Sequence, residues 1–462
     1  MRKLGHLESS ATSGPTAIPP MKLAWWLHPI VIFVGLNGVT AVVAFLAEPR
    51  TYLELWRTPK YFNGTAALLT FGMIAAFTIG AWLGVANLKG LHTQGEWDGT
   101  VLFSSASLLF RISFWVCILA YVIWVAVGIS RGLGLSVLKA ALLDGGAGVL
   151  AFKEFLPTVP GVTTCTQFGI AAVVLGCLIG ANVGWKTVWR KLAILFVLAL
   201  VRAVLHSERL AFLELAIPFM VLWIAAPRSW ARSRSARYLV RLAPLLGAAG
   251  VYVVFTAFEY IRSWSVYYSA RESSLFLFGF WRLFGYYVTS VNNSAYLISN
   301  FPHAVGAPYF SASFLWQFPF LNEYVKDLFS WVHLDYSNYM ALLAVGANPE
   351  FNNWGGLLSP VVDFGVLGGL EYWIIMGLVT GYLYRLFARR HPLGLCMYPV
   401  TFLALTEIPR YLYWGEGRAF PALAFLLFSS IFLLRSATLH HSFERLRLAA
   451  DSNTRSLANT SG

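Results

Sequence analysis

"LALTEIPRYLYWGEGRAFPALAFLL", residues 403–427, sets four charges, Glu407, Arg410, Glu416 and Arg418, between two strongly apolar runs. What those charges mean depends on the solvent around the rest of the chain. Of 462 residues, 58% are hydrophobic, 16% aromatic and only 12% charged, and the mean hydropathy is +0.63. A soluble domain carries about 25% charged residues, so this chain has half the charge needed to coat a water-facing surface. The solvent is a bilayer, and the expected fold class is all-α: a polytopic integral membrane protein.

Lys plus Arg number 34 against 21 Asp plus Glu, a net charge of +13. In such a protein this excess reflects basic residues retained in cytoplasmic loops, and it does not call for nucleic acid as a partner. Cys117, Cys165, Cys177 and Cys396 are scattered, with no CxxC and no Cys/His cluster at metal spacing, so neither a disulfide framework nor a zinc site is expected. The start, "MRKLGHLESSATSGPTAIPP", has no apolar core beside its basic residues and is not read as a cleavable signal.

A helix needs about 20 apolar residues to cross the hydrocarbon layer. Ten segments qualify: 25–47, 64–86, 102–129, 164–185, 188–205, 209–226, 239–258, 360–384, 394–413 and 418–435. Orientation follows from basic residues in short loops. "PRSWARSRSARYLVR" holds Arg228, Arg232, Arg234, Arg237 and Arg241 with no acid. "NVGWKTVWRK" and "YRLFARRHP" fall on the same side of the ten-span count, which puts both termini in the cytoplasm. The expected organisation is a disordered cytoplasmic tail (1–21), helices one to seven (22–258), a large outer cap loop (259–359), helices eight to ten (360–436) and a second cytoplasmic tail (437–462). The cap is aromatic and interleaved with polar residues, a pattern of short amphipathic helices at the interface or over a cavity; "LNEYVKDLFSWV" is one such stripe.

Ionisable residues at span ends are costly and mark a lined interior by default. They collect at the outer ends of spans six to ten: Arg202, His206, Glu208, Arg209 and Glu214; Glu259, Arg262, Arg271 and Glu272; Asp363 and Glu371; and the opening quartet. Guanidinium groups bind pyrophosphate bidentately and aromatic faces stack on sugars, so a phosphate-bearing sugar substrate fits this set. Glu407, Glu416 or His333 could take a proton from an attacking hydroxyl. The competing explanation is local: Glu259–Arg262, Glu407–Arg410 and Glu416–Arg418 could be ion pairs that neutralise span ends. Arg111 and His28 read as interfacial residues, His333 and Asp335 as weak acid–base candidates, and Asn352 and Asn353 as sugar-bonding or helix-capping residues. No nucleotide-binding, zinc-protease, serine-hydrolase or DxD-type metal motif occurs in a suitable context, so no metal and no cofactor are expected.

"RAVLHSERLAFLELAIPFMVLW" and "NNWGGLLSPVVDFGVLGGLEYWIIMGLVTGYLYRLF" resemble segments of the O-antigen and oligosaccharide repeat-unit polymerases (Wzy-type), over roughly residues 190–435. The resemblance implies a GT-C-like, metal-independent membrane glycosyltransferase at the periplasmic face of the bacterial inner membrane. It would move a glycan from its undecaprenyl diphosphate carrier onto a lipid-linked repeat unit. Its partners would be undecaprenyl-diphosphate-linked oligosaccharide, membrane lipids and a chain-length regulator protein. Arg209 and Asp363 match the family's motif positions, whereas Arg262, Arg271, Arg410 and Arg418 are diphosphate-binding candidates by topology and charge. The alternatives are an O-antigen ligase-type transferase, which performs the same chemistry on another acceptor, and a lipid-linked glycan flippase. The absence of an internal repeat speaks against the flippase.

Overall fold

The computed structural model describes residues 23–86, 99–226 apart from 144 and 207, and 234–436 apart from 261–262, 265–267, 270–273, 302–303, 319–320 and 334–335. The expected tails, 1–21 and 437–462, lie outside these residues. Every regular element among the described residues is helical. In chain order they are α1 (Pro29–Leu46), α2 (Pro49–Trp56), α3 (Gly64–Ala86), α4 (Gly99–Ser130), α5 (Leu135–Leu143) and α6 (Gly145–Phe155). Then come α7 (Val162–Cys165), α8 (Phe168–Asn182), α9 (Trp189–His206), α10 (Arg209–Ala225), α11 (Arg234–Glu259) and α12 (Leu275–Asn300). The chain ends with α13 (Ser313–Gln317), α14 (Asn322–Leu328), α15 (Tyr336–Gly346), α16 (Ser359–Ala388), α17 (Pro392–Glu407) and α18 (Phe420–Ser436).

Each of the ten expected segments overlaps a helix, but α17 ends at Glu407, so residues 408–413 of the ninth segment lie beyond it. Among the described residues six segments are long and apolar enough to cross a membrane: α1, α3, α4, Val162–Asn182, α11 and α16. In such helices the backbone satisfies itself, and the few hydroxyls do likewise: Thr70 and Thr78 donate to the carbonyls four residues back, at 2.8 and 2.7 Å. The helix α8 is apolar on every side, the mark of a helix buried all round. Ile170 to Leu175 are fully buried, walled by α4, α10 and α17.

The most extensive contact joins α3 to α16, and small residues allow it. A Cβ on Gly80 would lie 2.0 Å from the Ile374 carbonyl oxygen, and one on Gly84 2.3 Å from that of Leu378. From the other side, a Cβ on Gly377 would lie 2.2 Å from the Phe77 oxygen, and one on Gly381 2.3 Å from that of Ala81. Two GxxxG runs therefore meet backbone to backbone, a packing mode of helices in lipid. Near its start α16 is kinked at Gly365, where φ is 74°.

The segment 259–359 differs from the expected cap of short helices. Within it α12 runs for 26 residues and packs on α1, α2 and α11. Its polar residues lower its hydropathy and hide its length, yet they are buried because each has a partner. The side chain of Asn292 accepts the Tyr61 and Phe62 N–H groups (2.7 and 3.0 Å) and donates to the Pro59 oxygen (2.9 Å). Asn293 donates to the oxygens of Phe351 and Asn353 (2.7 and 2.9 Å). These bonds bring α12, the 57–63 connection and the 349–356 segment to one end of the bundle. The stripe on α14 is a surface feature, with Tyr324 and Leu328 exposed.

Candidate functional site

The end of the bundle that holds these connections also gathers the charges. Gly355 and Gly356 donate their N–H groups to the oxygens of Arg410 and Ile408 (2.8 and 2.9 Å). These bonds fix the 408–418 turn against the 349–356 segment. Between this turn, α10, the end of α11 and α12 lies a cavity of about 1150 Å³. Cations Arg209, Arg282, Arg410 and Arg418 line it, together with carboxylates Glu208, Glu350, Glu407 and Glu416. Lys153, Ser263, Tyr268, the aromatics Tyr286, Tyr287, Trp354 and Tyr411, and Asn352 and Asn353 also line it. The opening stretch therefore forms one wall of a large cavity.

The pairing inside the wall is specific. Glu214, almost fully buried, accepts Nε and Nη2 of Arg418 (2.8 and 2.9 Å) and the Tyr413 hydroxyl (2.9 Å). Glu259, also buried, accepts Arg209 Nη2 at 2.6 Å and the Ser263 hydroxyl at 2.7 Å, and lies 3.4 Å from Arg282 Nε. Arg282 reaches Glu350 at 2.6 Å, Arg202 reaches Glu208 at 2.8 Å, and Arg410 Nη1 reaches Glu407 at 2.8 Å. Of the ion pairs expected from the sequence, Glu407–Arg410 forms, whereas Arg418 pairs with Glu214 and not with Glu416; Arg262, expected beside Glu259, lies outside the described residues. Glu259 pairs with Arg209 and Arg282. In these pairs side chains separated widely in sequence meet because both ends are carried to one layer.

These carboxylates fix the arginines without consuming them. A guanidinium offers five N–H donors; Arg418 uses two on Glu214 and Arg410 one on Glu407. The side chains of Arg410 and Arg418 are 24% and 27% exposed, toward the cavity they line. Arg410 Nε is buried with no hydrogen-bond partner. A buried donor left unpaired costs about 1–3 kcal/mol.

Two carboxyls in the connections respond to this environment. Burial pushes Glu416 up to about 7, against the opposing pull of the Arg418 charge and a hydrogen bond from Ser313. Glu208 is also opposed by burial, but Arg202, Arg418 and His206 outweigh it and hold it below the usual range. Glu416 can therefore exchange a proton near neutrality, and Glu208 stays ionised.

Other expected residues lie elsewhere. Asp363 does not line the cavity; its carboxylate accepts the N–H groups of Phe310 and Ser311 (3.0 and 2.7 Å) and the Ser311 hydroxyl (2.6 Å). It anchors the 305–311 strap to the start of α16 because a buried carboxylate is stable only where donors converge on it. His333 is exposed and absent from the cavity lining, its carbonyl accepting from Asn338 (3.0 Å). Glu371 is likewise absent from the lining. Arg262, Arg271, Glu272 and Asp335 lie outside the described residues. His206 is buried between Trp124 and Phe152. Arg282, Tyr286 and Glu350 were not expected. Arg282 is the single charge of α12, and that isolation inside "FGFWRLFGYYV" is the signal that could have marked it.

No family model, curated protein or solved structure matches the chain. The cavity must be read from its own chemistry. Among the described residues no group of three or more His, Cys, Asp or Glu is placed to hold a metal ion.

Proposed function

We propose that the protein is a membrane glycosyltransferase that polymerises lipid-linked oligosaccharide, passing a glycan from a lipid diphosphate carrier onto a lipid-linked repeat unit. In this reading the ten helices at the expected positions cross the bacterial inner membrane, both termini are cytoplasmic, and the cavity opens at the periplasmic face. The observation that carries the reading is the cavity wall itself: Arg209, Arg410 and Arg418 beside Glu416.

The chemistry follows from the placement. Arg410, Arg209 and Arg418 hold the donor diphosphate, and aromatic faces and the Asn352 and Asn353 side chains receive the sugars. The acceptor hydroxyl oxygen attacks the anomeric carbon of the donor glycan as the bond from that carbon to the diphosphate oxygen breaks. The bonding pair leaves with the lipid diphosphate, whose developing charge meets guanidinium groups already in position. The hydroxyl proton passes to Glu416, whose environment suits a base near neutral pH. The bond being broken is already activated, so no nucleotide is consumed.

The test is reaction of the purified protein with lipid-linked repeat units, analysed on a gel. A ladder of multimers, abolished by Arg410→Ala, is expected. Repeat units that stay single, under conditions where the protein binds them, would sink the reading. Transfer only to a non-carrier acceptor would make it a ligase.

A further inference from the structure

The cavity has a second, apolar arm. Away from the arginines its walls are Gly247, Gly250, Val251 and Val254 of α11 and Leu200 and Leu213 of α9 and α10. The helix α11 is tied to the rest of the molecule at its two ends. Near its start Trp26 Nε1 donates to the Val240 oxygen (2.9 Å), and Ala243 packs on the main core. Near its finish Tyr252 donates to the Phe276 oxygen (2.6 Å), and Thr256 packs against Gly279 of α12. Between those ties the helix stands clear. Only 11% of its apolar window is buried, and Leu245, Leu246, Gly247 and Gly250 are all exposed. A Cβ on Gly247 or Gly250 would meet nothing within 4 Å. Residues 244–251 thus frame a window about 10 Å long at helical rise. It joins the cationic part of the cavity to the side of the bundle that faces hydrocarbon.

We propose that this window between α10 and α11 is a lateral binding slot for the hydrocarbon chain of the lipid diphosphate, which enters sideways from the bilayer past Gly247 and Gly250. The proposal rests on the function proposed above for the identity of the lipid. Continuity of charge and apolarity selects this occupant. A lipid diphosphate is a compact double anion on a long apolar chain, and here a cluster of guanidinium groups runs without interruption into an apolar passage open to the membrane. The two glycines are what leave the passage open. A Cβ at either position displaces no atom of the fold, so a larger side chain there can extend into the passage.

The experiment uses the full chain in phosphatidylcholine nanodiscs and geranylgeranyl diphosphate carrying a photoreactive group at the end of its chain. Labelling on Val251, Val254 or Leu213, mapped by mass spectrometry, is expected. Gly250→Trp should cut it about 10-fold, in line with loss of most of an apolar contact, and Gly250→Ala should leave it intact. Gly247→Phe supplies a second obstruction if the tryptophan variant does not fold. Labelling spread over the outer surface, or unchanged by either obstruction, overturns the slot. Equal labelling of the slot by a phosphatidic acid probe overturns the assignment to a lipid diphosphate. The ladder assay separates this proposal from the one it rests on. Slot labelling without polymer rejects the polymerase and keeps the slot. Full polymer yield from Gly250→Trp rejects the slot and keeps the polymerase.

Discussion

Arg209 at the start of α10 and Arg410 in the 408–418 turn, far apart in sequence, converge on one ring: their guanidinium carbons lie 5.3 and 5.9 Å from the centroid of Tyr286. Each is also held by a buried carboxylate, Glu259 for Arg209 and Glu407 for Arg410. The aromatic face and the two acids keep like charges close together before any substrate arrives. This is the preorganisation that a site for an anionic leaving group needs.

Removing one of these cations should act mainly on the rate. Arg410→Ala and Arg209→Ala are each expected to lower the initial rate of polymer formation by about 100-fold or more, the scale for losing one preorganised charge donor. Arg410→Lys should recover only part, because an ammonium cannot reproduce the planar fork. Rates measured on lipid-linked repeat units, with protein folding verified by size-exclusion chromatography, check this.

Glu416 sets a pH dependence. A base must be deprotonated to work, and its carboxyl lies at about 7, so the rate should rise with pH through neutrality and level off above it. In Glu416→Gln this limb should vanish and the remaining rate should be low and flat. A pH–rate profile of both proteins decides the matter; an unchanged limb in the variant would assign the base elsewhere.

The Glu214–Arg418 pair should matter for stability before it matters for chemistry. Taking away one partner of a buried pair typically costs about 3–5 kcal/mol, and here the Tyr413 hydroxyl also loses its acceptor. Glu214→Ala is expected to be markedly destabilised in thermal unfolding. Adding Arg418→Met should recover part of that loss without restoring activity.

The α3–α16 contact yields a prediction independent of function. Gly377→Leu would press a side chain into the Phe77 carbonyl, 2.2 Å from its Cβ, and should lower the unfolding temperature substantially. By contrast, Gly72→Ala on the same α3 meets nothing within 4 Å and should be close to neutral. Side-by-side melting curves of the two variants are the check.

Asp363→Asn separates anchoring from catalysis. The carboxylate holds Phe310 and Ser311 through both of its oxygens, and an amide has only one. Stability and activity should fall together, and the pH–rate profile of the remaining activity should keep the shape of the wild type.

Composition and apolar run length determined by themselves that the chain is helical and built around apolar segments of membrane-crossing length, because 12% charge cannot coat a soluble surface. Glu208, Arg209, Glu407, Arg410, Glu416 and Arg418, which the sequence marks as costly charges beside apolar runs, line one cavity. The two GxxxG runs stand in the sequence, but only the α3–α16 contact shows that they meet. Three things were decided only by the tertiary structure. The first is which charges pair: Glu214 chose Arg418 and Glu259 chose Arg209 and Arg282, since partners in space need not be neighbours in sequence. The second is α12, whose buried asparagines and arginine read as polar loop until their bonding partners are known. The third is Asp363, which looks reactive as a lone acid at a helix start and proves to be an anchor because three donors from the 310–311 backbone and hydroxyl converge on it. Sequence displays which groups are costly to bury; only the fold shows what satisfies them.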